Sequence, residues 1–404
     1  MKNFIVPIIF LSLLLFSEIF CFRAIRRFFS NRNQKYVVAI YWAITLIEFA
    51  FFFITRTWDN HPRNIAINVL TIIISMKLFA GLSVLGADIT RAIRFFFEKK
   101  ENITPQIRES RRDFVGKLAL GMAGIPFISM NYGIFKTAFA FKIHRELLKF
   151  NNFPAAFNGL KIVQISDIHT GSLVNANQLN KAIDLILAEK PDLILFTGDL
   201  VNNRTDEAYP YKESFKRLQA PMGVYSVLGN HDYGDYETWD TPENKAKNFQ
   251  DMIDLHAELG WKLMMNEAQI FEKDGEKFAL LGIENWGNKL HFPKYGVLSK
   301  ALEEAGDAPF KILMSHDPSH WDAEVNDGKT DIDLALAGHT HGFQFGVEIP
   351  GFRWSPSQYA YKQWAGLYKN KEQVLYVNRG LGCIGYMGRI GIRPEITVLE
   401  FTQA

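Results

Sequence analysis

A chain of 404 residues, 48% hydrophobic and 22% charged, has material for more than one domain and for a sizeable core. Its net charge of +2 conceals a division: residues 1–135 hold 17 Lys and Arg against 8 Asp and Glu, residues 136–404 hold 28 against 35. An acidic back half does not suit a nucleic-acid binder, so no nucleic-acid partner is expected. Cys21 and Cys383 are too few and too distant to form a disulfide framework, and no Cys-x-x-Cys pair offers a thiolate metal site.

Four apolar stretches come first, near Phe4–Phe22, Tyr36–Ile54, Ile65–Ala87 and Phe114–Ile134. Each approaches the ~20 residues a helix needs to cross the hydrocarbon layer. Residues 1–135 therefore read as a membrane segment of three to four transmembrane helices, with Trp42 and Trp58 near the water boundaries. The fourth stretch is the weakest, because Lys117 and Pro126 interrupt it. The loop from Arg23 to Lys35 carries five basic residues and no acid, and the loop from Arg91 to Arg112 is again basic. Such loops stay in the cytoplasm, which puts the amino terminus outside and the region after the fourth helix on the outer face. Glu18, Glu48 and Lys77 fall inside apolar stretches, where charge is costly and needs a partner; a Glu48–Lys77 pair is one such arrangement. Ser110-Arg111-Arg112-Asp113-Phe114-Val115 resembles a twin-arginine export signal placed internally.

Residues 136–157 read as a linker and first strand, and from about Asn158 to residue 404 short apolar runs alternate with helical patterns. Lys161–Ile165, Asp192–Phe196, Gly223–Leu228, Phe310–Met314 and Asp333–Ala337 read as buried strands. Asn177–Lys190 spaces Leu179, Ile183, Ile186 and Leu187 along one helical face. Each strand runs into a polar cluster. In order these are Asp167-Ile168-His169, Gly198-Asp199, Gly229-Asn230-His231-Asp232, His316 and Gly338-His339-Thr340-His341. Ligands in such α/β layers collect beyond the carboxyl ends of strands, so all five clusters can converge on one rim. Asp, His and Asn donors in that number suffice for two divalent ions, which together activate water and neutralise charge in phosphate-ester hydrolysis. Mixed N/O ligation suits Mn, Fe or Zn better than Mg or Ca.

On these five motifs the region 158–401 resembles the calcineurin-like metallophosphoesterases, and the preceding helices point to their membrane-anchored bacterial branch. The resemblance implies an α/β fold, a four-layer αββα sandwich preceded by an α-helical transmembrane segment. It implies that Asp167, His169 and His341 hold one metal, that Asn230, His316 and His339 hold the second, and that Asp199 bridges both. It gives His231 no metal bond: that ring would bind the phosphoryl group and protonate the leaving oxygen after metal-bound hydroxide attacks, with Asp232 either its orienting partner or a turn cap. Arg379, following a strand, is the candidate substrate-binding residue, with a surface ion pair as its other reading. The Asp-Arg-Gly triplet of the protein Ser/Thr phosphatases is absent after Gly198-Asp199, which argues against a phosphoprotein substrate. Where the bacterial branch commonly has two glycines after its His-Thr-His, this chain has Gly342-Phe343. Tyr233, Tyr236 and Trp239 follow the catalytic histidine and are positioned in sequence to form a lid or an apolar wall.

The expected protein is a multi-pass enzyme of a bacterial inner membrane with its catalytic domain on the periplasmic face. It would hydrolyse a phosphomonoester or phosphodiester, lipid-linked or of the envelope, with membrane lipids as partners. Two alternatives stay open: a UDP-2,3-diacylglucosamine pyrophosphate hydrolase of lipid A synthesis, and a non-catalytic membrane sensor or scaffold on the same fold.

Overall fold

The computed structural model describes residues 12, 15–26, 34–54, 60–97, 104–173, 175–289 and 292–404. Most of the first apolar stretch therefore lies outside the described residues, as do Arg27, Arg32, Arg56, Trp58, Asp59, Lys99 and Lys100. The chain forms two compact units, Met1–Ile134 with Gly385–Met387, and Phe135–Ile384 with Gly388–Ala404.

In the first unit residues 15–26 are helical, followed by α1 (Gln34–Ile54), α2 (Asn60–Phe97) and α3 (Pro105–Phe135). These three helices contain spans long and apolar enough to cross a membrane, at Gln34–Phe51, Pro62–Arg94 and Glu109–Phe139. Pro126 sits inside α3 without ending it, and Lys117 is paired with Asp113 one turn back at 2.7 Å. Ser110-Arg111-Arg112 lies within the same helix.

The polarity of this unit is inverted relative to a water-soluble bundle. Ile40, Ile44, Leu46, Ile47, Leu120 and Ile128 face outward, while Glu18, Thr45 and Lys77 are buried. That arrangement suits a hydrocarbon solvent, in which only the interior can satisfy a charge. Lys77 Nζ donates to Glu18 Oε1 at 2.8 Å and also to Glu48 Oε2. Tyr41 Oη and Thr45 Oγ1 donate to the other Glu18 oxygen at 2.7 and 2.9 Å. The Glu48–Lys77 pair read from sequence thus belongs to a larger cluster centred on Glu18. Removing only its cation leaves two carboxylates without a counter-charge. Lys77→Met is expected to destabilise the full-length protein by roughly 3–5 kcal/mol. Adding Glu18→Gln and Glu48→Gln should recover much of that loss, read as thermal midpoints in detergent.

The second unit is built on two six-stranded mixed sheets. The first runs β1 (Lys142–Phe150), β14 (Glu395–Gln403), β2 (Lys161–Ile165), β3 (Leu193–Phe196), β4 (Val224–Ser226), β5 (Lys262–Leu263) in spatial order. The second runs β12 (Gly366–Asn370), β13 (Gln373–Val377), β9 (Leu334–Ala337), β8 (Lys311–Met314), β7 (Glu276–Gly282), β6 (Glu267–Lys273). A separate hairpin pairs β10 (Val347–Ile349) with β11 (Phe352–Trp354). Residues 142–150, expected beside a linker, are an edge strand of the first sheet in parallel register with β14.

Period-two alternation assigns the layers. Ile162, Leu193 and Leu195 of the first sheet pack with Ile312, Met314, Leu334 and Leu336 of the second, making the central core. The alternate residues Val163, Ile165, Ile194 and Phe196 face outward onto Leu179, Ile183 and Ile186 of α4 (Ala176–Ala188) and Met252 and Leu255 of α5 (Pro242–Glu258). Leu313, Ala335 and Ala337 face the opposite way, onto Leu298 and Ala301 of α6 (Leu298–Ala305) and Trp321. Helices, sheet, sheet and helices form the four expected layers.

Candidate metal centre

β2, β3 and β4 are mutually parallel, as are β8 and β9, so the loops after these strands leave from carboxyl ends. Backbone hydrogen bonds stitch the loops together: Asp167 N–H to Gly198 O (2.9 Å), Ile168 N–H to Asp199 O (2.9 Å) and Gly338 N–H to His316 O (2.9 Å). His339 N–H donates to both Asp167 oxygens at 3.0 Å, tying the last motif to the first. Space is tight enough to require glycine at Gly229 and Gly338. A Cβ at Gly229 would overlap Asp199 Oδ1, and one at Gly338 would overlap Ser166 Oγ and Asp167 Oδ2.

Two sets of donors result, Asp167 with His169 and His341, and Asp199 with His316 and His339. In the first, His341 Nε2 lies 3.0 Å from His169 Nε2 and 3.2 Å from Asp167 Oδ1. In the second, His316 Nε2 lies 3.1 Å from Asp199 Oδ2 and 3.3 Å from His339 Nδ1. The same Asp199 oxygen is 3.6 Å from His169 Nε2, so it stands between the two sets. Asn230 is buried beside them, and its Oδ1 has no hydrogen-bond partner among the described residues.

The outer ring of hydrogen bonds fixes which nitrogen faces inward. His169 Nδ1 contacts Val201 O at 3.2 Å and His316 Nδ1 contacts Thr197 O at 2.7 Å. Donating to those carbonyls leaves each Nε2 a lone pair for the centre. His339 is reversed: Nε2 meets Tyr361 Oη at 2.8 Å, and Nδ1 faces inward. Lone pairs aimed at one another across about 3 Å, with an orphaned amide oxygen alongside, are the donor set a pair of cations fits. The electrostatics agree. Burial resists the charge on Asp199, but His316 and the neighbouring imidazoles hold its carboxyl well below the ordinary value. Burial likewise resists charge on His316, and Asp199 overcomes it, raising that ring to about 10. The pocket demands positive charge.

His231 is half-exposed at the edge of this centre, with its ring 5.0 Å from His169 and 4.6 Å from Tyr236. Its Nδ1 contacts Asn202 O at 2.6 Å, and its backbone N–H donates to Asp199 Oδ1. Asp232 does not orient that ring. Its oxygens accept the backbone N–H groups of Asp199, Leu200, Val201 and Gly229 at 2.8, 2.8, 3.3 and 2.9 Å. Burial and the Asp199 charge push its carboxyl up to about 7, yet four donors aimed at two oxygens require the carboxylate. Asp232 is a clamp between two ligand loops, and the Asn202 carbonyl does the orienting expected of it.

Arg379 takes up its ion-pair reading rather than the substrate-binding one, and does so in the interior. Its guanidinium is buried and bound by Glu395 Oε2 (2.5 Å) and Glu348 Oε1 (2.7 Å), so it is committed to protein carboxylates rather than to a substrate. Of the three loop aromatics, Tyr236 reaches the centre, its Oη accepting from Asn230 Nδ2 at 2.9 Å. Tyr233 is buried against Phe249, and the Trp239 indole donates to Gly234 O within its own loop. Sequence reading passed over Tyr361 and Arg389. Arg389 is fully buried and donates to the carbonyls of Arg379, Gly380 and Gly382 at 2.9, 3.0 and 2.6 Å, with Nη2 3.4 Å from His341 Nδ1. Cys21 and Cys383 are both free and buried.

Comparison with known proteins agrees with this geometry. Residues 160–343 match the calcineurin-like phosphoesterase family, and residues 1–138 match the family described as probable calcineurin-like phosphoesterase, transmembrane domain. The uncharacterized metallophosphoesterase YkuE of Bacillus subtilis is 33% identical over 62% of this chain and 82% of its own length. A transmembrane protein with metallophosphoesterase domain from Danio rerio is 29% identical over 68% of this chain; the match spans 60% of that protein. UDP-2,3-diacylglucosamine pyrophosphatase LpxG of Chlamydia muridarum is 26% identical over 61% of this chain and 84% of its own length. The chain belongs to the calcineurin-like phosphoesterases, with a transmembrane domain joined to the metallophosphoesterase domain.

Burial opposes the charge of Glu395, but the adjacent Arg379 guanidinium holds the carboxyl down at about 2, against an ordinary 4.5. Unfolded chains take up that proton first as pH falls. The pair's stabilisation is therefore complete above about 4.5 and drains as pH drops toward about 2. Glu395→Gln is expected to lower the thermal midpoint at neutral pH and to flatten its fall across this acid range.

Proposed function

We infer that the protein is a membrane-bound phosphoesterase that holds two divalent cations and cleaves a phosphodiester or phosphomonoester of a lipid-linked or envelope substrate. The observation that carries this reading is one Asp199 oxygen lying 3.1 and 3.6 Å from histidines of two separate donor sets. Asp167, His169 and His341 would hold one cation, and His316, His339 and Asn230 the other, with Asp199 shared. Manganese, iron or zinc suits this mixed set of nitrogen and oxygen donors. When bound, such a pair supplies an activated water and neutralises charge on the phosphoryl group.

The chain's own residues do the rest. His231, held through Nδ1 by the Asn202 carbonyl, keeps Nε2 free to bind a phosphoryl oxygen and to pass a proton to the leaving oxygen. Tyr236 covers that ring on one side. A complete set of donors favours an enzyme over a scaffold, because a retired site has no reason to keep charges this costly to bury.

The domain is read as facing the periplasm of a bacterial inner membrane, on the strength of the basic loops that precede α1 and α3. A second substrate reading, the pyrophosphate bond of UDP-2,3-diacylglucosamine, is supported by the LpxG relative. A panel of lipid and nucleotide phosphoesters separates the two. A reporter active only in the cytoplasm, fused after Ala404, is expected to stay dark, and a signal would move the domain inside.

Turnover of bis-p-nitrophenyl phosphate by full-length protein should depend on added Mn and vanish in Asp199→Asn, along with at least one bound metal. His231→Ala should keep both metals yet lose roughly 10²–10⁴ in kcat. Full turnover in that variant would remove the acid role from His231.

A further inference from the structure

The β10–β11 hairpin presents apolar side chains to its surroundings. Opposed residues on paired strands share a face, and here the pairs are Val347 with Trp354, Glu348 with Arg353, and Ile349 with Phe352. Glu348 is half-buried and tied to the domain, while Arg353 is exposed. Glu348 binds the buried Arg379 at 2.7 Å, and the Arg353 guanidinium lies 5.1 Å from the centre of the Trp364 ring. The apolar face points outward, with Val347 42%, Ile349 58% and Phe352 54% exposed. A small hairpin in water hides its apolar side; this one leaves Val347, Ile349 and Phe352 exposed.

The exposed face continues in both directions along the chain. Phe343 and Phe345 are exposed on the stretch leading from the ligand His341 into β10. Beyond β11, Tyr359 is exposed, and its Oη accepts from the Trp354 indole at 3.4 Å. Apolar Ile349, Pro350 and Phe352 form the tip, and at the base amphipathic Trp354 and Tyr359 stand beside Val347 and Phe345. A bilayer interface selects this combination, apolar groups among the acyl chains with Trp and Tyr at headgroup level. Three-residue strands at about 3.3 Å per residue reach roughly 10 Å, the depth to which interfacial elements enter. The same chain carries three helices long and apolar enough to cross a bilayer.

We propose that the β10–β11 hairpin, with Phe343 and Phe345, is a membrane-docking surface whose apolar face enters the lipid interface beside the metal centre. Its basis is separate from the hydrolase reading and holds whether or not the centre turns over a substrate. The docking would bring His341, two residues before Phe343, to the lipid surface, and would present membrane-embedded headgroups to the site without lifting them into water.

The test uses full-length protein in vesicles of phosphatidylethanolamine and phosphatidylglycerol. Ile349→Cys and Phe352→Cys are spin-labelled one at a time, with Glu213→Cys as an exposed control on the same domain. Both native cysteines are buried, and unmutated protein shows the background. The hairpin labels are expected to be reached by oxygen and shielded from a water-soluble nickel chelate, with an oxygen-to-nickel ratio several-fold above that of the control. Nickel access equal to the control at both hairpin positions would overturn the proposal. Shielding from both reagents, accompanied by dipolar coupling between labels on two molecules, would assign the face to a second copy and overturn it equally. Two label positions guard against one substitution disturbing the hairpin.

Discussion

The central constraint on this structure is electrostatic. Asp167 and Asp199 are buried to within 1% of complete exclusion from water, amid four imidazoles able to hold metal, whose nitrogens approach one another within 3.0–3.3 Å. Positive charge in the middle of such an assembly offsets the cost of burying its carboxylates and relieves the crowding of its lone pairs. Everything around it serves to keep the donors in place. Five of the residues involved, Asp167, His169, Asp199, His339 and His341, adopt left-handed backbone angles with φ between 50° and 68°. A non-glycine residue held there costs of order 1–3 kcal/mol. Strain of that kind survives only where the surroundings over-determine it, and it collects at the strand ends because the chain must turn sharply there to aim a side chain inward.

The sandwich supplies the over-determination. Parallel strands from both sheets bring their carboxyl ends to one rim, and Gln164 Nε2 donates to Ala337 O at 2.9 Å, linking β2 to β9 across the central core. On the rim, Asp232 fixes four backbone amides from two loops, and Arg389 gathers three carbonyls from the loop after β13. Each converts flexible loop into rigid scaffold, which is how a loop-borne site achieves the precision normally found on strands.

Much of this was legible in sequence because one signal repeats. An apolar run of strand length followed by Asp, His or Asn recurs at Ile165, Phe196, Leu228, Met314 and Ala337, and those runs lie in or directly beside β2, β3, β4, β8 and β9. The edge strand β1 gave no such signal, since it is mostly half-exposed and ends in no motif. Of the two roles open to Asp232 the fold realises the loop cap, because neighbouring side chains diverge in a tight turn. Arg379 forms the ion pair open to it in sequence, but buried rather than at the surface. Its partner Glu395 lies on β14, and no local pattern announces that an arginine after one strand and a glutamate at the start of another will be buried together. Tyr361 and Arg389 fall outside any periodic element, so only the assembled fold reveals what they hold.

The hydrogen bonds that hold the ligands also bear on how metal binding relates to folding. His169 and His316 are locked by carbonyls of Val201 and Thr197, His339 by Tyr361, and the loops carrying Asp199 and Asn230 by Asp232. Every one of these bonds is made by protein atoms alone. The ligand geometry is therefore a property of the folded chain, and a cation entering it has little ordering entropy to offset. This differs from a small zinc domain, whose fold is assembled by its metal. Here the two six-stranded sheets and their shared core provide the fold, and the metal relieves a repulsion that the fold has already built.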